Sequence, residues 1–194
     1  MFRVRIRGLT LAEMLIATSV LGLLSAVCLS IYSMGIRAWL KADSRTEVMS
    51  ILQTAQDRIA TEVRSSQFPS VSTMPDKSGV AFLSAGEEWS RQVDPGGRLQ
   101  WTNFVYFYSL PSDEHLYRTE VGYAPADPTL LSTLEAYSGS PLSSHKVGGQ
   151  AISRNLNKFE AELQSPDLLR VILRAKVEKE EMELESCYRL TPQP

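Results

Sequence analysis

The amino-acid sequence predicts an α+β fold, with one long N-terminal helix packed on a small antiparallel β-sheet. Two observations carry this. No proline occurs before Pro69, and up to that point apolar residues follow a helical pattern. Beyond Pro69 the chain changes to short runs rich in β-branched and aromatic residues, separated by turn signals. The 194 residues accommodate one ordinary domain plus a membrane-length segment.

The helix is expected over Leu9 to Gln67, in two halves of different character. From Leu9 to Ile36 the only charged residue is Glu13. Met14 to Ile36 supplies about 23 mostly apolar positions, enough to cross ~30 Å of hydrocarbon. Arg3, Arg5 and Arg7 precede this run, which places the N-terminus on the cytoplasmic side and residues from about 40 onward across the membrane. Trp39 then falls where an interfacial anchor belongs. The second half is amphipathic. Val48, Ile51, Leu52, Ala55, Ile59 and Val63 share one face, with Arg45, Glu47, Asp57, Arg58, Glu62 and Arg64 between them. Gly22, Ser30 and Gly35 lie midway, leaving a bend there open.

Pro69 stops the helix, and "PSVSTMPDKSG" reads as a loop. Strands are expected at "GVAFLS", "TNFVYFYSL", "EHLYRTEV", "KFEAEL", "DLLRVILRAKV" and "MELESCYRL". The turn "PSDE" joins Phe104–Leu110 to His115–Val121 as a hairpin, and the acidic "EKEE" joins a second one. "VDPGGRL" is a further turn. The Ser/Gly/Pro-rich "ADPTLLSTLEAYSGSPLSSHKVGG" is a connection, either mobile or holding a short helix near Leu130–Tyr137.

Composition narrows the function. Twenty basic residues against 22 acidic ones exclude a strongly basic nucleic-acid binder, so no nucleic acid is expected as a partner. The run "EKEEMELE" suits the solvated face of a strand or hairpin. Cys28 and Cys187 are too few for a disulfide framework and are expected to stay unbridged. His115 and His145 are isolated, as surface residues are. No nucleophile elbow, phosphate loop, zinc motif or dinucleotide fingerprint occurs, so neither an enzyme nor a cofactor is expected. The acidic pairs Glu87–Glu88 and Asp113–Glu114 lack the spacing of a calcium loop. The glycine pairs Gly96–Gly97 and Gly148–Gly149 are explained by turn chemistry.

The carboxylate of Glu13 inside an apolar run needs a reason. A cleaved secretory signal has a basic start and an apolar core, but this run is long for one and the acid hinders insertion. A lipoprotein signal ending in Cys28 wants a small residue before the cysteine, where this chain has Val27. "RGLTLAEMLIATSVLGLLSAV" instead resembles the signal shared by type IV prepilins and the pseudopilins of type II secretion. The resemblance implies cleavage after Gly8 by a prepilin peptidase and N-methylation of the new first residue, Leu9, where the family usually has phenylalanine. The family's glutamate falls on Glu13, and Thr10 and Leu11 fit its pattern.

That resemblance gives the carboxylate a task. An unpaired charge mid-bilayer costs ~2.5–3.5 kcal/mol on insertion scales, and less near the interface. Cleavage creates an α-amine at Leu9, and in a filament Glu13 of one subunit pairs with the amine of its neighbour. The burial is then compensated and the pair sets the register between subunits.

The implied organisation is a leader at 1–8, a membrane and filament-core half-helix at 9–39, an amphipathic half at 40–68 and a pilin-like extracytoplasmic β-domain at 69–194. The order "AQDRIATEVRSS", "FVYFYSLPSDEHLYRTE", "KFEAELQSPDLLRVILRAKV" is similar to the J-type minor pseudopilins, and also suits minor pilins of type IV pili or competence systems. The implied partners are the prepilin peptidase, other major and minor pseudopilins or pilins, the inner-membrane assembly platform and an exported protein. A second function class stays open: a single-pass, membrane-anchored binding module that does not assemble.

Overall fold

The computed structural model describes residues 10–84, 100–125 and 130–192. It is an α+β chain with one long helix, α1, over Leu11–Ser65. The helix runs unbroken through Gly22 and Gly35, where an added Cβ meets nothing within 4 Å. Its end precedes Pro69: Ser66 turns back, its N–H and hydroxyl both donating to the Val63 carbonyl. The peptide bond Phe68–Pro69 is cis.

The chain divides into two compact units, Met1–Asp43 and Ser44–Pro194. In the first, the described residues are helical from Leu11 onward and their large apolar side chains face outward, as with Leu15, Ile16, Leu21 and Leu24. By length and composition this helix is able to cross a membrane.

In the second unit, Val48, Leu52, Ala55, Ile59 and Val63 of α1 are all buried. The predicted stripe is the stripe that packs, with Ile51 at its margin. Fully burying Leu52 or Ile59 stabilises by roughly 1.5–3 kcal/mol each.

The strands form two antiparallel sheets where the sequence predicts one. The first is ordered β2 (Ser72–Thr73), β3 (Gly79–Ser84), β4 (Asn103–Ser109), β5 (His115–Gly122) and β6 (Gln150–Arg154). The second is β7 (Leu156–Ser165), β8 (Leu168–Val177) and β9 (Glu180–Arg189). Asn155 separates them at φ 60, a left-handed conformation that asparagine tolerates better than most residues, and it redirects the chain from β6 into β7. Both predicted hairpins form: Phe104 pairs with Val121, and Leu173 with Leu184. The second closes through Glu178, also at positive φ.

Two strands lie where no strand is expected. β2 falls inside the predicted loop, and β6 lies just beyond the predicted connection, between its last residue, Gly149, and the strand expected at "KFEAEL". A parallel pair of two-residue strands, β1 (Gln67–Phe68) and β10 (Thr191–Pro192), joins the end of the helix to the far end of the domain. The predicted turn "VDPGGRL" lies outside the described residues.

The five-stranded sheet is covered on both faces, so β3 and the centre of β4 are buried at every position. Val80, Phe82, Val105 and Phe107 meet α1 and the second sheet in one core cluster. Ala81, Leu83, Phe104, Tyr106 and Tyr108 form another with Trp101, Tyr123, Leu134 and Leu142. Leu134 and Leu142 belong to the Ser/Gly/Pro-rich connection, whose described part, from Leu130 onward, is thus a structured cover. It carries the short helix α2 (Leu134–Ser138), capped by the Thr133 hydroxyl and closed by Gly139 at φ 66.

β9 alternates as its acidic run predicts. Met182, Leu184 and Tyr188 pack inward, while Glu183 and Glu185 face out and pair with Arg174 and Arg170 at 2.5 and 2.7 Å. Such exposed pairs add little stability, but they keep an edge strand charged.

Candidate functional site

The candidate site is the start of α1. Gly8 and Leu9, the predicted processing residues, lie outside the described residues. Glu13 sits in the first helical turn and is fully explained there by a reciprocal cap. Its Oε2 accepts from the Thr10 N–H at 2.8 Å and from the Thr10 hydroxyl at 3.0 Å. Thr10 Oγ1 in turn accepts from the Glu13 N–H at 3.3 Å. This is a capping box, in which Thr10 and Glu13 satisfy backbone donors that a helix start leaves unpaired. The carboxylate also lies at the positive end of the helix dipole.

The signal for this was present as Thr-x-x-Glu before an apolar run, and the sequence reading missed it. The same carboxylate therefore has a local task that requires no second subunit. Only Oε2 is used; Oε1 makes no hydrogen bond among the described residues.

Four hydroxyls of the apolar half-helix bond back to the helix itself. Thr18 donates to the Met14 and Leu15 carbonyls, Ser19 to Leu15, Ser25 to Leu21 and Ser33 to Ser30. A side chain that bonds back to its own helix presents no unpaired donor to an apolar environment. The outward surface then consists of leucine, isoleucine, valine and methionine, which suits lipid or a protein neighbour more than water. Trp39 is exposed near the end of this stretch. Cys28 and Cys187 are both free thiols.

The two isolated histidines are held locally. His145 Nε2 lies 3.1 Å from the Ser138 hydroxyl. His115 Nδ1 bonds Asp113 Oδ1, while the Tyr117 hydroxyl bonds Asp113 Oδ2. Those two donors hold the Asp113 carboxyl below its ordinary range, Tyr117 first and His115 second. Asp113, half of an acidic pair weighed for calcium, is thus engaged in closing the β4–β5 turn. Glu87–Glu88 lies outside the described residues.

The glycine pair Gly148–Gly149 divides into two tasks. Gly148 has φ 72 and serves the turn. At Gly149 a Cβ would come within 2.7 Å of the Tyr108 hydroxyl, which accepts from the Gly149 N–H. Turn chemistry accounts for the first alone. No protein-family model, curated protein or solved structure matches the chain.

Proposed function

We propose that the chain is a filament subunit of the type IV pilin and pseudopilin kind, most similar to a minor pseudopilin of type II secretion. On this reading a prepilin peptidase removes residues 1–8, and Leu9 becomes the methylated first residue. The helix holds the subunit in the inner membrane, N-terminus in the cytoplasm and β-domain outside it, until the subunit joins the pseudopilus at or near its tip. There it helps to start assembly and export.

One observation carries the reading. The helix is unbroken, its first half has an apolar outer surface, and the one carboxylate of that half, Glu13, stands in the first turn, five residues after Gly8 in the sequence. Besides capping its own helix, such a charge gives a subunit packed among like helices a register.

The test is the mass of the protein extracted from membranes. Loss of residues 1–8 with gain of one methyl group supports the proposal; an intact N-terminus or cleavage elsewhere overturns it.

The Thr10–Glu13 cap favours a second reading, because it gives Glu13 a purpose in a lone helix. In that reading the chain is a membrane-anchored binding module. A minor pilin of a type IV pilus or competence system is the alternative form of the first reading.

A further inference from the structure

We propose that the groove between α1 and the edge strand β6 receives an extended acidic peptide segment of a partner protein, which adds to β6 as a sixth strand. The inference concerns the globular unit alone and does not depend on the filament reading.

β6 terminates its sheet among the described residues: it pairs with β5 on one side and with no described strand on the other. In an antiparallel ladder alternate residues direct both backbone groups away from their partner. The outer N–H and C=O groups of β6 have no backbone partner among the described residues. A bulge between Leu116 and Tyr117 leaves Ile152 as the extra residue of β6 and bends the strand locally.

A groove of about 370 Å³ runs beside this edge. Four consecutive residues, 151–154, form one wall, so the backbone edge itself lines the groove as well as alternate side chains. Ser50, Ile51 and Thr54 of α1 form the other wall. An edge strand facing a helix across a narrow groove is the arrangement in which extended peptides bind by strand addition. The five residues of β6 offer an edge of roughly 17 Å at ~3.4 Å per residue, room for a short strand.

Charge selects the occupant. His115 and Arg154 stand opposite each other in register at one end of the groove, and no carboxylate lines it. Arg154 has no ion pair among the described residues, although most cations on the neighbouring sheet are matched: Arg170 with Glu185, Arg174 with Glu183, Lys158 with Glu160. Asp113 is already engaged by His115 and Tyr117, and by holding His115 Nδ1 it leaves Nε2 as the free edge of that ring. An exposed guanidinium without a partner prefers a carboxylate, which it can grip with two parallel bonds.

The experiment uses the full chain in detergent micelles and fluorescein-labelled hexapeptides that alternate valine with glutamate or valine with lysine. Fluorescence anisotropy should show the glutamate peptide binding at least tenfold tighter. N-methylation of one set of alternate amides in that peptide should abolish binding, while methylation of the other set should leave it. Arg154→Glu should weaken the glutamate peptide tenfold or more, and Arg154→Lys should retain most of its affinity. Equal binding of both charge types, equal effects of the two methylation patterns, or no binding at millimolar peptide overturns the proposal. The peptide-side comparisons hold whether or not any variant folds.

Discussion

Arg118 of β5 reaches the helix: its Nη2 lies 2.9 Å from Oε1 of Glu62 on α1, and both side chains are largely shielded from water. The second Glu62 oxygen accepts from the Ser84 hydroxyl of β3 at 3.1 Å. One carboxylate thus ties α1 to two strands of the five-stranded sheet. Removing Arg118 leaves the shielded Glu62 carboxylate with only the Ser84 hydroxyl, and removing Glu62 leaves Arg118 with only the more exposed Glu120, 2.5 Å from its Nη1. Glu62→Ala and Arg118→Ala are each expected to cost about 1.5–3 kcal/mol. In a double-mutant cycle the pair should cost clearly less than the sum of the singles. Additive losses in urea unfolding would show that the two groups do not interact.

Gly79 is expected to reject even a methyl group. A Cβ there would stand 2.6 Å from Oη and 2.8 Å from Cε2 of Tyr106, a fully buried ring. Gly79→Ala should therefore destabilise by ~1–3 kcal/mol through overpacking, the reverse of the usual glycine-to-alanine gain in a strand. Calorimetry decides the sign, and a raised Tm would refute the contact.

The β4–β5 turn should be acid-sensitive through Asp113. Its carboxyl is depressed in the folded state by the Tyr117 hydroxyl and then by His115. A depressed acid contributes stability above its unfolded value, near 3.9, and loses that contribution as pH falls through the folded value. Tyr117→Phe should thus lower Tm at pH 7, with the gap to wild type closing below about pH 4. A gap that stays constant from pH 7 to pH 2 would assign the loss to packing instead.

The cap that Glu13 makes can be separated from the subunit pairing proposed for it. Glutamine keeps a carbonyl oxygen for the Thr10 donors but has no charge. If the proposed filament reading holds, Glu13→Gln should be processed and inserted normally yet co-purify poorly with pseudopilin partners, while Glu13→Ala should also fray the first helical turn. Normal assembly of the glutamine variant, with failure of the alanine one, would leave the cap as the only purpose of the residue.

On the proposed processing after Gly8, Gly8→Val should leave the precursor uncut, because a branched side chain crowds the peptide bond that a prepilin peptidase would have to approach. Immunoblotting for the size shift checks this. Normal processing of that variant would place the cleavage site elsewhere.

Much of the fold was legible because its signals are local. The stripe from Val48 to Val63 and the β4–β5 and β8–β9 hairpins all follow from periodicity and turn residues. β6 was not, since Gln150, Ser153 and Arg154 give an edge strand no apolar alternation to recognise. β1 and β10 are two residues each and exist only through each other. The candidate site was half legible. Glu13 stands out as a charge in an apolar run, whereas its bonds to Thr10 rest on a short Thr-x-x-Glu pattern whose geometry only the folded first turn provides. The Glu62–Arg118 pair spans helix and sheet, and no spacing rule connects such positions.

The pairing of β1 with β10 also bears on the order in which this protein can be made. Gln67 and Thr191 are roughly 120 residues apart in sequence yet adjacent in the finished domain. Synthesis at ~5–20 residues per second delivers the second on the order of 10 s after the first. Throughout that interval the C-terminal end of α1 has its hydrophobic stripe ready and part of its cover missing, since β8 supplies Leu169, Val171 and Leu173 late. The domain is therefore closed by its last strand, as a drawstring closes a bag, and a nascent chain halted before β8 should expose that stripe to any chaperone within reach.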